Sequence, residues 1–268
     1  MAWRASNAGA SLAGIRRLGL ALAGLLAIAQ PAHAGAWTKP KGKGLVIAKH
    51  EAMRADEGFD PLGQPVHLPA PRRDRSTGVF AEYGLSDRIT VQFKGDWQSG
   101  EDAFVDYEGR GPLELGVTWQ AWRDDRTAVS LYAAYADGGE GRNAGYAAPG
   151  QGDSDWEIRA EVGRRFDGRR WLPPGFVEIQ AARRMRAGLP DETRLDLTLG
   201  AHVRPGWMVL SQAYAGQADR NGARWLTGET SVVKDFGPWS VQLGWRETVE
   251  GRETPRSRGP VIGIWRRF

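Results

Sequence analysis

The chain has 268 residues and no cysteine, which excludes disulfides, thiol catalysis and Cys-ligated metals and leaves an exported chain to be held together another way. Its 36 Lys+Arg against 32 Asp+Glu give a formal charge of +4 and a pI near 9.5. Three of those basic residues and no acidic ones fall within residues 1–34; without them the balance is 33 against 32, so the ground for a polyanion-binding surface, nucleic acid included, disappears.

Residues 1–34 read as a signal peptide. Arg4, Arg16 and Arg17 precede an apolar stretch from Leu18 to Ala29, and Ala32-His33-Ala34 is the small-x-small pattern of a signal-peptidase site, so cleavage after Ala34 is expected. The apolar stretch is 12 residues, short of the roughly 20 that span a bilayer as a helix. The residues after Arg16-Arg17, Leu-Gly-Leu, fit a twin-arginine motif poorly. Next comes a tail, residues 35–43, whose Lys, Gly and Pro content reads as a flexible periplasmic segment. Two alternatives stay open for it: folding into the lumen as a plug, or docking a periplasmic partner.

From residue 44 to 268 no long apolar run and no convincing amphipathic helix occurs. Instead, segments of about ten residues with period-two alternation are separated by Gly, Pro, Asp and Asn, the signature of a transmembrane β-barrel. Twelve are expected: 44–53, 75–85, 89–98, 112–122, 127–136, 156–166, 175–185, 193–204, 207–217, 223–236, 239–248 and 259–268. The fold class is therefore all-β, an antiparallel membrane barrel of about 12 strands. Short links (86–88, 123–126, 205–206, 237–238) alternate with long ones (54–74, 99–111, 137–155, 218–222, 249–258), as tight periplasmic turns alternate with external loops. An even count puts both termini in the periplasm. The link 167–174 is long for a periplasmic turn and 187–192 short for a loop, leaving a strand miscount open there.

Two strands alternate cleanly. Ile89, Val91, Phe93, Gly95 and Trp97 interleave with Thr90, Gln92, Lys94, Asp96 and Gln98; Leu195, Leu197, Leu199, Ala201 and Val203 interleave with Arg194, Asp196, Thr198, Gly200, His202 and Arg204. The strands from Trp207 and Ala223 alternate poorly. Of twelve Trp, many fall near strand ends (Trp97, Trp119, Trp122, Trp156, Trp207, Trp225, Trp239, Trp245, Trp265), where indoles suit a membrane-water boundary. A soluble barrel with Trp in its core is the alternative; the leader, the terminal Phe268 and the loop asymmetry favour the membrane.

With apolar faces outward, the expected lumen lining is Glu157, Arg159, Glu161, Arg165, Glu178, Gln180, Arg184, Arg194 and Asp196, with His202. This mixed-sign wall has two readings: a polar solute path, or charge pairs that cross-link the interior and leave little opening. No catalytic constellation emerges. His67 falls in an expected external loop and His202 points inward, away from any lipid-facing serine. Gly138-Gly139-Glu-Gly141-Arg lacks the strand-loop-helix setting of a phosphate loop. Glu101, Asp102, Asp106 and Glu108 lack the spacing of a calcium loop and read as a solvated external segment. No catalytic residue, metal ligand or cofactor is assigned.

Gly35-Ala-Trp-Thr-x-Pro-x-Gly-x-Gly, the strand-turn spacing and the closing Gly259-Pro-Val-Ile-Gly-Ile-Trp-Arg-Arg-Phe268 together resemble the outer-membrane barrel transporters of Gram-negative bacteria, including the family named for the MetA pathway of phenol degradation. The resemblance spans Gly35 to Phe268. In the strict assembly signal the residues two and four before the terminal aromatic are hydrophobic; Ile264 matches and Arg266 departs. The resemblance implies an outer-membrane channel or transporter for small, apolar or aromatic solutes, surrounded by lipid and lipopolysaccharide and inserted by the barrel-assembly machinery through its last strand. A closed surface barrel acting through its loops, as an adhesin or structural protein, is the second reading, and a lipid-acting barrel enzyme the third.

Overall fold

The computed structural model describes residues 35–268; the leader and its cleavage site lie outside the described residues. Fourteen strands follow in order: β1 (Gly44–Phe59), β2 (Pro65–Ser86), β3 (Ile89–Glu101), β4 (Asp106–Arg110), β5 (Leu113–Arg123), β6 (Thr127–Asp137), β7 (Ser154–Phe166), β8 (Gly175–Ala187), β9 (Glu192–Arg204), β10 (Trp207–Ala218), β11 (Arg224–Phe236), β12 (Trp239–Arg252), β13 (Thr254–Pro255) and β14 (Arg258–Arg267). All but β4 and β13 form one antiparallel ring in chain order. It closes at β1, where Val46 pairs with Ala81 on β2 and with Arg266 on β14. Gly44 and Phe268 lock the seam by exchanging backbone N–H···O bonds of 2.9 and 3.1 Å. Closure gives every strand of the ring two neighbours, which is what lets a sheet sit in lipid without disulfides.

Both termini of the barrel lie at one end, with the links β2–β3, β5–β6, β7–β8, β9–β10 and β11–β12; we call this the turn end and its opposite the loop end. Tight turns at Pro205-Gly206 and Gly237-Pro238 place glycine at φ 69° and 64°. The link 167–174 is a genuine long turn carrying an Arg169–Leu172 bridge, and the ring holds twelve strands with none missed there.

The expected loop 54–74 is mostly strand. β1 and β2 continue outward as a hairpin, with Arg54 opposite Arg73 and Glu57 opposite His67 across a bulge. Its tip is set by Asp60, whose Oδ1 accepts the N–H groups of Leu62 and Gln64, each at 2.8 Å. Both faces of this hairpin carry charge, so period-two alternation is lost while the backbone ladder persists. β3 likewise runs on to pair with β4, shortening the expected loop 99–111.

Facing follows the alternation. Leu195, Leu197, Leu199, Ile158, Ile179, Leu243 and Ile264 are exposed on the outer wall, forming an apolar belt, with Trp97, Trp119, Trp122, Trp156, Trp239 and Trp245 also outward. Trp225 and Trp265 depart from the boundary expectation. Both share the inward parity of their strands, and Trp265 is buried, donating Nε1–H to Gln242 Oε1 at 3.1 Å. β10 and β11 alternate poorly in sequence because Met208, Leu210 and Val233 put apolar side chains on the inward face too.

Candidate functional site

The lumen has three levels. At the turn end the N-terminal segment folds into the barrel, so the flexible-tail reading is corrected: Gly35, Ala36, Trp37 and Thr38 are buried. The Ala36 N–H donates to Glu178 Oε2 at 3.0 Å, and its carbonyl accepts from Gln120 Nε2 at 3.0 Å and Ser130 Oγ at 2.6 Å. The Lys39 N–H donates to Thr90 Oγ1 at 2.8 Å, and its ammonium lies 3.0 Å from Glu82. Trp37 meets Phe176 edge to face at 6.2 Å and lies beneath the Arg165 guanidinium at 5.3 Å. Short of regular structure, the segment thus has its backbone polar groups met by inward side chains of β3, β5, β6 and β8. Across the barrel, Leu45, Met208, Leu210, Val233, Val261 and Trp265 are all buried, so this level is largely filled.

The middle level holds ion pairs. Arg184, 7 % exposed, reaches Glu114, Asp155 (3.3 Å) and Glu157 (2.8 Å). Arg159 pairs with Glu157 and donates to Gln180 Oε1 at 2.6 Å; Lys94 lies 2.7 Å from Glu114, which also accepts the Tyr132 hydroxyl at 2.6 Å. Arg186 joins Asp155 (3.0 Å) to Glu192, and Arg194 joins Glu192 to Glu157 (3.8 Å). A second cluster faces it. Arg246 bridges Glu51 (2.7 Å) and Glu229 (2.6 Å), with Lys49 3.0 and 3.3 Å from the same two carboxylates. Each cluster mixes the two signs, and the pairs cross-link strands.

At the loop end, residues 138–153 between β6 and β7 fold inward over the mouth. Arg142 bridges Asp74 (3.3 Å) and Asp102, stacks over the Tyr107 ring at 5.0 Å, and accepts no freedom at its backbone, whose N–H donates to Gln98 Oε1 at 2.8 Å. Asn143 holds the loop to itself by donating to the carbonyls of Gln151 and Gly152 at 2.9 Å. The Tyr146 hydroxyl donates to Glu192 at 2.7 Å, and burial with that carboxylate pushes the phenol above its ordinary value. Beneath the loop lies a cavity of about 540 Å³ bounded by Tyr107, Tyr146, Tyr214 and Trp225 and by Asp74, Arg142, Asp196 and Arg246.

All nine residues expected to line the lumen stand on inward positions of β7, β8 and β9, but they divide in role. Arg194 and Asp196 border the cavity, whereas Glu157, Glu161, Glu178 and Arg184 are sealed inside the wall. Sequence reading missed Arg142 and Tyr146, which sit in a loop, Tyr214, on a strand whose alternation is blurred, and Arg246, whose inward position the alternation of Val241, Leu243 and Trp245 with Gln242 and Gly244 on β12 could have given. The acidic segment of residues 101–108 is dispersed: Glu101 pairs with Arg73, Asp102 with Arg142, and Glu108 accepts the Trp97 indole N–H at 3.2 Å. Among the described residues no group of three or more His, Asp or Glu side chains is arranged to hold a metal ion.

No protein-family model and no curated protein matches the sequence. Solved structures do match the fold. A crystal structure of an outer-membrane channel from Pseudomonas putida F1 superposes with a TM-score of 0.66 at 13% identity, covering 89% of this chain and all of that one. The KdgM porin gives 0.54 at 6% identity, over 84% of this chain and 99% of that one. The NanC porin gives 0.53 at 7%, over 82% and 98%. The fold of this chain is that of the outer-membrane β-barrel channels.

Proposed function

We propose that this chain is an outer-membrane channel for small polar or aromatic solutes, which enter at the loop end and meet the N-terminal segment as the last constriction. The observation that carries this reading is the cavity of about 540 Å³ set inside a closed barrel, where four aromatic rings alternate with both signs of charge. Such a lining offers stacking and hydrogen bonding to a solute while repelling neither anions nor cations strongly. The apolar outer belt supports placement in lipid, with the turn end in the periplasm and the loop end outside among lipopolysaccharide. Ile262, Ile264 and Phe268 on the outward side of the last strand are the features by which the barrel-assembly machinery would receive it. Residues 1–34 act as the leader, removed after Ala34.

The buried ion pairs and the docked segment favour a second reading, a barrel closed at rest. Single-channel recording in planar bilayers, on protein purified from outer membranes, decides between them when run beside a Trp37→Ala variant. Discrete steps in the wild type, larger in the variant, support a channel constricted by the segment. Silence in both, with the barrel folded and inserted, refutes transport and moves attention to the loops.

A further inference from the structure

The inward wall where Ala36 docks carries a carboxylate too many. Glu178, 2 % exposed, accepts the Ala36 N–H and the Gln180 side-chain amide, and no cation lies within ion-pair distance among the described residues. Glu161 stands diagonally across on β7, since it pairs in register with Gln180. It is 1 % exposed, touches Arg159 through Oε1 at a marginal 3.9 Å, and its Oε2 has no hydrogen-bond partner. Arg159 itself is committed to Glu157 and Gln180. Two buried carboxylates sharing so little positive charge are costly unless a further cation or donor reaches them.

The group that reaches them is main chain. Gly35 has φ 82°, and a β-carbon there would lie 2.2 Å from Glu178 Oε1 and 2.5 Å from Gln180 Nε2, so its backbone is pressed against these side chains. We propose that the α-ammonium created by processing after Ala34 is the missing cation, seated between Glu178 and Glu161, so that removal of the leader is what completes docking of the N-terminal segment. The inference rests on the processing site given above. Hydrolysis of the Ala34–Gly35 peptide bond adds one water, leaves a carboxylate on Ala34, and frees an amine on Gly35 that takes a proton. Before hydrolysis that nitrogen is a neutral amide with one N–H; afterwards it is a cation with three donors. Only the processed chain matches two carboxylates. The absence of a side chain at Gly35 is required as well, because the space beside Cα is already occupied by Glu178.

The test uses the full chain, expressed with its leader and purified from outer membranes. Intact mass first fixes the N-terminal residue. Acetylation of the α-amine by an N-hydroxysuccinimide ester at pH 7.5 is then followed by mass spectrometry in folded and heat-unfolded protein, for the wild type and a Glu161→Gln, Glu178→Gln double variant whose folding is read from its heat-modifiable mobility. The expected result is a Gly35 amine that reacts at least about tenfold more slowly in the folded wild type than in the unfolded chain. In the variant most of that protection is lost. Because glutamine has nearly the shape of glutamate, mere steric shielding would protect the variant equally, and that outcome overturns the ion pair. A Gly35 amine that reacts at the unfolded rate in folded wild type overturns it too. A first residue other than Gly35 refutes the processing site instead. Should the double variant not fold, each single variant is read in the same way.

Discussion

The indole of Trp37 lies against the bare α-carbon of Gly163 on β7: a β-carbon there would stand 2.3 Å from the ring. Glycine inside a strand costs backbone entropy and contributes no packing, and here that loss is offset by the close approach of the largest side chain in the N-terminal segment. Gly163→Ala is expected to expel Trp37 while the ladder of β7 with β6 and β8 survives. The overlap costs about 1–3 kcal/mol if the indole shifts to accommodate it. The readouts are a red-shifted tryptophan emission and an increased unit conductance, with heat-modifiable mobility retained. Unchanged conductance together with a red shift would show that the segment does not limit flow.

Arg184 and Arg194 both lie in the charged wall, yet their removal should differ. Arg184 is sealed among Glu114, Asp155 and Glu157, so Arg184→Ala leaves several buried carboxylates under-compensated and is expected to destabilise the barrel by roughly 3–5 kcal/mol. The Arg194 side chain is 25% exposed at the cavity edge, so Arg194→Ala should cost far less and act instead on selectivity, towards cations. Thermal unfolding in detergent and reversal potentials in a salt gradient separate the two effects. Equal destabilisation by both substitutions would contradict this division.

The strand pattern was legible wherever one face is apolar and the other is not. Leu195, Leu197 and Leu199 against Arg194, Asp196 and Thr198 declare β9 without ambiguity. β10 hides its facing because Met208 and Leu210 fill the lumen at the turn end, making both of its faces apolar there. β1 and β2 read as short because beyond the membrane the ladder carries charge on both faces, Arg54 and Arg73 on one and Arg72 and Asp74 on the other, so nothing in the side chains marks it. The docked segment was out of reach for another reason: Ala36 bonds to Glu178 across 142 residues of sequence, and the Lys, Gly and Pro that surround it report only local flexibility. Charges at the lumen positions were readable, but whether a given charge borders the cavity or is sealed by a partner depends on pairings between distant strands.

The outward belt makes a prediction that a water-soluble barrel would not. Leu197 is exposed near the middle of β9, and its neighbour Thr198 points inward. In lipid, Leu197→Arg should lower folding stability by about 2–4 kcal/mol, the range for a cation near the bilayer midplane. In a soluble barrel an exposed Leu→Arg change is close to neutral. Urea titration of the protein folded into vesicles reads the difference, and a near-neutral effect would argue against the membrane placement.

Asp102 sets how the inward loop responds to acid. Burial pushes its carboxyl up, but the N–H groups of Phe104 and Val105 and the Arg142 guanidinium together outweigh that and hold it below the usual carboxylate range. A depressed folded value means that the stabilisation is fully present above the unfolded value, 3.8, and is lost as pH falls through the lower folded one. The Arg142–Asp102 pin should therefore hold residues 138–153 over the mouth throughout the neutral and mildly acidic range and weaken only below about pH 4. Conductance of the wild type is expected to stay flat from pH 8 to about pH 4 and to rise beneath it. Arg142→Ala, which removes the cation paired with Asp102 and leaves Asp74 only Arg72 and Tyr107, should raise conductance at neutral pH and flatten the acid transition. A wild-type transition centred near pH 6, or an Arg142→Ala channel that conducts like the wild type, would show that this pair does not hold the loop.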